Sequence, residues 1–153
     1  MRDWLVPDGS LRDAYVFATT TADWQAFIDL VRTKGWWFSY SEDGRACRMP
    51  AHVEEIFARR QDRGLLLQIR PVPDIAINVH FFGEEEIEAD FAPAELQGQE
   101  RLDVLCGFLR AVGRQVGKPV VFTPENRPDL PIIVFDPRTD LVQRPASGRR
   151  EGE

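Results

Sequence analysis

The chain has 153 residues, 43% hydrophobic and 29% charged, and its 19 Lys and Arg against 25 Asp and Glu leave a formal net charge of −6. A chain of this size can bury around 70% of its unfolded surface without disulfide or metal staples, and the composition excludes a collagen, a disulfide scaffold and wholesale disorder. The acidic balance also argues against a dedicated nucleic-acid binder, which needs a basic excess for the phosphates.

Residues 14–19 are rich in aromatic and β-branched types and read as a first strand. Thr20, with Asp23 three residues on, forms a weaker version of the capping box. Trp24, Phe27, Ile28 and Val31 then fall at i, i+3, i+4 and i+7, the apolar stripe of a helix that Gly35 stops. Residues 36–41 alternate as a strand, and Asp43-Gly44 turns it back, because both central residues of a type I′ turn need positive φ. Pro50 is placed to open a short second helix with Val53, Ile56 and Phe57 as its buried stripe. Three successive strands follow, at about 65–71, 75–82 and 86–91, joined by connectors with turn chemistry. A long helix at about 99–116 carries Leu102, Leu105, Leu109, Val112 and Val116 on one face, with Gly117 as its stop. Gly107 and Gly113 inside it each cost roughly 1 kcal/mol relative to Ala. Residues 119–123 and 131–135 close the pattern as short strands around a Pro-rich loop.

These elements predict an α+β fold, in which an antiparallel sheet with a central three-stranded meander carries helices at about 21–34, 51–61 and 99–116 packed mainly on one face. One domain is expected over residues 1–143, followed by a disordered tail over 144–153. No signal-peptide pattern opens the chain and no apolar run approaches the roughly 18 residues of a membrane span, so a cytoplasmic location without membrane contact is expected. Cys47 and Cys106 show no pairing pattern, fit a reducing compartment, and read as small core or half-buried residues.

The recognisable motifs fail on chemistry. The segment from Gly113 to Pro119 resembles a phosphate loop, but Pro119 stands where a Ser or Thr would hold magnesium, and the segment ends a helix instead of starting one. His52-Val53-Glu54 has the His-x-Glu spacing of zinc deaminases without the paired cysteines they need. Two histidines and two separate cysteines give no zinc site at recognisable spacing, so no metal and no cofactor is expected. Trp36 and Trp37 must point to opposite faces of their strand, which leaves one of them open to solvent.

The three successive strands divide into a dry face and a wet one. Leu65, Leu67, Ile69, Ile75, Ile77, Val79, Phe81, Ile87, Ala89 and Phe91 share the first; Leu66, Gln68, Arg70, Ala76, Asn78, His80, Phe82, Glu86, Glu88 and Asp90 share the second. A three-residue connector at 83–85 sets His80 opposite Glu88 and Asn78 opposite Asp90, with Cβ atoms roughly 5 Å apart. Charge is concentrated in the same region. Residues 84–103 hold eight carboxylates against Arg101 alone, a net −7, so the rest of the chain sums to +1. Acidic residues favour the first turn of a helix, which accounts for Glu100 and Asp103 but not for Glu84 to Asp90.

The leading expectation is therefore a small acidic protein-binding module that docks a basic partner through its sheet face, with Arg70, Asn78, His80, Glu84, Glu85, Glu86, Glu88 and Asp90 as contact residues. In size, charge and architecture the chain resembles the small acidic cytoplasmic proteins that serve as immunity proteins to bacterial toxins. That resemblance implies an inhibitor that covers the phosphate-binding surface of a basic enzyme such as a nuclease. One alternative is a small-molecule enzyme or ligand binder in which His80 beside Glu88 acts as a general base. A third is a self-associating domain, a homo-oligomer with Phe82 and Leu66 in its interface.

Overall fold

The computed structural model describes residues 5–145, and among these the fold is mixed α and β with the sheet dominant. In chain order the strands are β1 (Arg12–Phe17), β2 (Trp37–Glu42), β3 (Arg45–Cys47), β4 (Leu65–Val72), β5 (Ile75–His80), β6 (Glu86–Phe91), β7 (Val120–Pro124), β8 (Ile133–Asp136) and β9 (Leu141–Gln143). The helices are α1 (Thr21–Thr33), α2 (Val53–Arg59) and α3 (Gln99–Val116), with a 3-10 turn at Pro93–Leu96 before α3. All nine strands belong to one antiparallel sheet in the order β3-β2-β4-β5-β6-β1-β7-β8-β9.

Local chemistry explains most of the boundaries. Thr20 Oγ1 accepts from the Asp23 amide (3.2 Å) while Asp23 Oδ2 accepts from the Thr20 amide (3.0 Å), so the capping box opening α1 is complete. Asp43 (φ 51°) and Gly44 (φ 81°) both take the left-handed conformation that a two-residue hairpin requires. The second helix starts at Val53, later than Pro50 predicts. The Arg32 guanidinium takes up the carbonyls of Met49 (3.0 Å) and Pro50 (2.6 Å), the N-cap residue His52 is extended, and Gln25 Oε1 accepts from the Val53 amide (2.8 Å).

Two further boundaries differ from the sequence reading. The first strand covers Arg12–Phe17, not 14–19, because Ala18 turns the chain (φ 55°) and Thr19 then bonds the carbonyls of Glu84 and Glu85. Strand β9, Leu141–Gln143, is absent from the periodicity reading; three residues are too few to show a period. Cys47 is exposed and Cys106 half-buried, so Cys47 departs from the core reading. The tail expected over 144–153 lies, from residue 146 on, outside the described residues.

One buried cluster joins sheet and helices. Leu67, Ile69, Ile77, Val79, Ile87, Ala89 and Phe91 from β4 to β6 meet Trp24, Phe27, Ile28 and Val31 of α1 and Leu105, Phe108, Leu109 and Val112 of α3. Each such large side chain contributes roughly 1.5–3 kcal/mol on burial. The alternate residues of the same strands, Gln68, Asn78, His80, Glu86, Glu88 and Asp90, are half-buried. Gly113 has a packing role. A Cβ there would stand 2.2 Å from the ring of the fully buried Phe135, so only glycine lets α3 and β8 approach this closely.

Candidate functional site

Strand pairing aligns polar side chains in a row across six strands: Ser39, Gln68, Asn78, Asp90, Asp13 and Thr123. Part of the row is a relay of hydrogen bonds. Arg70 Nε donates to Gln68 Oε1 (3.2 Å), Gln68 Nε2 to Asn78 Oδ1 (3.1 Å) and Asn78 Nδ2 to Asp90 Oδ1 (3.1 Å). The next row contains Leu66, His80, Glu88, Tyr15 and Val121.

His80 stands opposite Glu88, yet its Nε2 contacts Asp90 Oδ2 at 2.6 Å along the diagonal. Diagonal neighbours lie within reach of long and aromatic side chains. The hydrogen bond to Asp90 outweighs burial and raises the His80 pKa above the ordinary imidazole value. In this geometry the ring is held by Asp90, and Glu88 is left out.

Sequence reasoning missed the third strand of the site. Strand β1 brings Asp13, Tyr15 and Phe17 alongside Asp90, Glu88 and Glu86. Asp13 is buried; its Oδ2 accepts from the Tyr15 hydroxyl (3.2 Å) and the Asn126 amide (2.8 Å). Burial, with Asp90 and Glu125 nearby, still raises its pKa. Burial also raises the pKa of Glu88, followed by the charges of Asp13 and Glu86. Tyr15 is shifted upward by burial and by the Asp13 charge. The alternation of Asp13, Tyr15 and Phe17 was visible in the sequence, but no local signal says that this strand pairs with one more than 70 residues away.

The expected contact residues divide accordingly. Arg70, Asn78, His80 and Asp90 make up the relay, and Glu86 and Glu88 point out of β6 beside it. Glu84 and Glu85 lie in the turn between β5 and β6, where Glu84 Oε1 accepts from Thr21 Oγ1 (2.6 Å) and is tied to the start of α1. Most other ion pairs bind the body together, such as Asp23 with Lys118 (2.6 Å), Asp74 with Arg101 (2.9 Å) and Asp140 with Arg114 (2.7 Å). Among the described residues, no Lys or Arg forms an ion pair with Glu86 or Glu88.

Aromatic rings border these carboxylates. The His80 and Phe82 rings stack at 5.0 Å and 4°, and those of Tyr15 and Phe17 at 5.3 Å and 13°. Phe82 is 64% exposed and Phe17 38%. Farther along, Trp37 is 54% exposed with the Arg70 guanidinium over its ring at 5.7 Å, while Trp36 packs inward on Phe108.

There are three surface clefts of about 520–530 Å³, one of them lined by Arg70 at the end of the relay. They adjoin Trp37 and Pro73, the start of α3, and the Cys47–Arg48 edge; neither His80 nor Glu88 lines any of the three. Among the described residues no three His, Cys, Asp or Glu side chains are grouped so as to hold a metal ion, and no helix is long and apolar enough to cross a membrane. Comparison of the chain with protein-family models, curated proteins and solved structures finds no match.

Proposed function

We propose that the protein is a binding module that docks a basic protein through the acidic face of its sheet. In this reading the helices pack on the core side of the β4–β5–β6 segment, and the opposite face is left for the partner. The observation that carries it is the pair Glu86 and Glu88, which face outward and form no ion pair with a Lys or Arg among the described residues. Neighbouring like charges are destabilising, and a partner's cations offset that cost on docking. Complementary potentials also speed encounter and exclude wrong partners. An inhibitor of a basic enzyme, in the manner of an immunity protein or antitoxin, is the form this reading takes, since the carboxylates would occupy the surface meant for phosphates.

The test compares co-purification from the native host of the wild-type chain and the Glu86→Lys/Glu88→Lys variant. A basic protein should be retained by the wild type at low salt, released as salt rises, and missing from the variant. Identical sets of proteins from both chains would overturn the proposal.

A further inference from the structure

The face offers more than negative charge, and its geometry narrows the chemistry of what it takes. Register places Glu88 between His80 and Tyr15 in one row and Glu86 beside Phe17 in the next, while Phe82 follows His80 two residues on. Strand β6 therefore carries two carboxylates between two stacked ring pairs, one on β5 and its extension, the other on β1. The flanking strands lie two strand spacings apart, roughly 10 Å. Phe82 and Phe17 present apolar ring surface to solvent on either side of carboxylates that form no ion pair with a Lys or Arg among the described residues.

Resting on the docking reading above, we infer that this cradle accepts an arginine side chain of the basic partner, in preference to a lysine. A guanidinium is planar, forks onto carboxylates and stacks against aromatic faces, so one group can satisfy both the floor and the walls. An ammonium is a compact, strongly hydrated charge that would use the carboxylates and gain less from the rings. Glu86, Glu88 and Asp90 on β6, with Asp13 beside them on β1, supply the attraction, and the exposed rings of Phe82 and Phe17 supply the discrimination, since Tyr15 beneath them is buried. His80 Nε2 is bound to Asp90 Oδ2 at 2.6 Å, so the negative charge of Asp90 offsets that of the protonated ring.

The test titrates the full chain with hexa-arginine and with hexa-lysine at equal salt, following affinity by calorimetry and location by NMR. Hexa-arginine should bind about tenfold more tightly or better, with the largest shifts at His80, Phe82 and Phe17. Phe82→Ala should reduce that preference, and Glu86→Gln/Glu88→Gln should weaken both peptides. Equal affinity for the two peptides, with both weakened in the glutamine variant, overturns the arginine inference and leaves the docking face standing. If the glutamine variant binds both peptides as the wild type does, the inference and the docking reading fail together.

Discussion

At the scale of single residues, two glycines in one helix have opposite roles. Gly107 is exposed, and a Cβ placed there meets nothing within 4 Å. Gly107→Ala should therefore raise stability by up to about 1 kcal/mol, the difference in helix propensity. At Gly113 the same methyl would enter the ring of Phe135, which is fully buried. Overpacking of this kind costs roughly 1–3 kcal/mol, so Gly113→Ala should lose stability despite the gain in propensity. Urea unfolding of the two variants checks both signs; a Gly113→Ala chain as stable as wild type would show that the α3–β8 contact is not limiting. The sequence displays both glycines as equivalent helix defects. What separates them is a contact with a strand more than 20 residues away, which no local pattern encodes.

At the scale of elements, what could be read from the sequence followed the range of the forces involved. Helix α3 matches its expected span because a five-residue apolar stripe and the Gly117 stop act locally. The register of β5 on β6 could be derived from the connector, since a short turn fixes which residues face each other. Arg12 and Asp13 fall outside the strand expected over 14–19, yet both are buried in an interior strand of the sheet, because pairing partners on two sides override their low strand propensity. The candidate site was half legible for the same reason: the β5 and β6 residues came from one hairpin, and the β1 residues did not.

A link between β2 and α2 was also hidden by distance. Glu42, last residue of β2, accepts from Arg59 Nε (2.5 Å) and Nη2 (2.7 Å) and from the Tyr40 hydroxyl (2.7 Å). The Arg59 hydrogen bonds come first among the causes that hold the Glu42 pKa down to about 2. A carboxyl with a depressed folded pKa adds stability above its unfolded value of 4.5 and loses it as pH falls toward about 2. Glu42→Gln should therefore lower the urea midpoint at neutral pH, and the gap from wild type should close between those two values. A gap that stays constant with pH would mean that the contact is not ionic in its effect.

At the scale of the whole molecule, residues 84–103 sum to −7 and the rest of the chain to +1, and on the sheet face this excess is represented by Glu86, Glu88 and Asp90 beside Asp13. This distribution bears on self-association: two such faces brought together in a symmetric dimer would repel, and Phe17 and Phe82 would have to overcome that repulsion. The same repulsion acts within the isolated chain. Burial and the neighbouring charges of Asp13 and Glu86 raise the Glu88 pKa in the folded state. For a carboxyl shifted upward the sign is the reverse of Glu42: ionisation destabilises the fold, and the full penalty is present above the raised pKa. Glu86→Gln/Glu88→Gln should consequently be more stable than wild type at pH 7 and about equal to it under acid conditions that protonate both groups. Salt should narrow the gap between the two chains. Raising ionic strength from about 0.02 M to about 0.3 M shortens the screening length from roughly 20 Å to well under 10 Å, so wild type should gain more stability than the variant. Urea midpoints of both chains at the two salt concentrations measure this difference. A variant that is less stable than wild type at neutral pH and low salt would mean that Glu86 and Glu88 already help to hold the fold, leaving no electrostatic cost for a cationic partner to relieve.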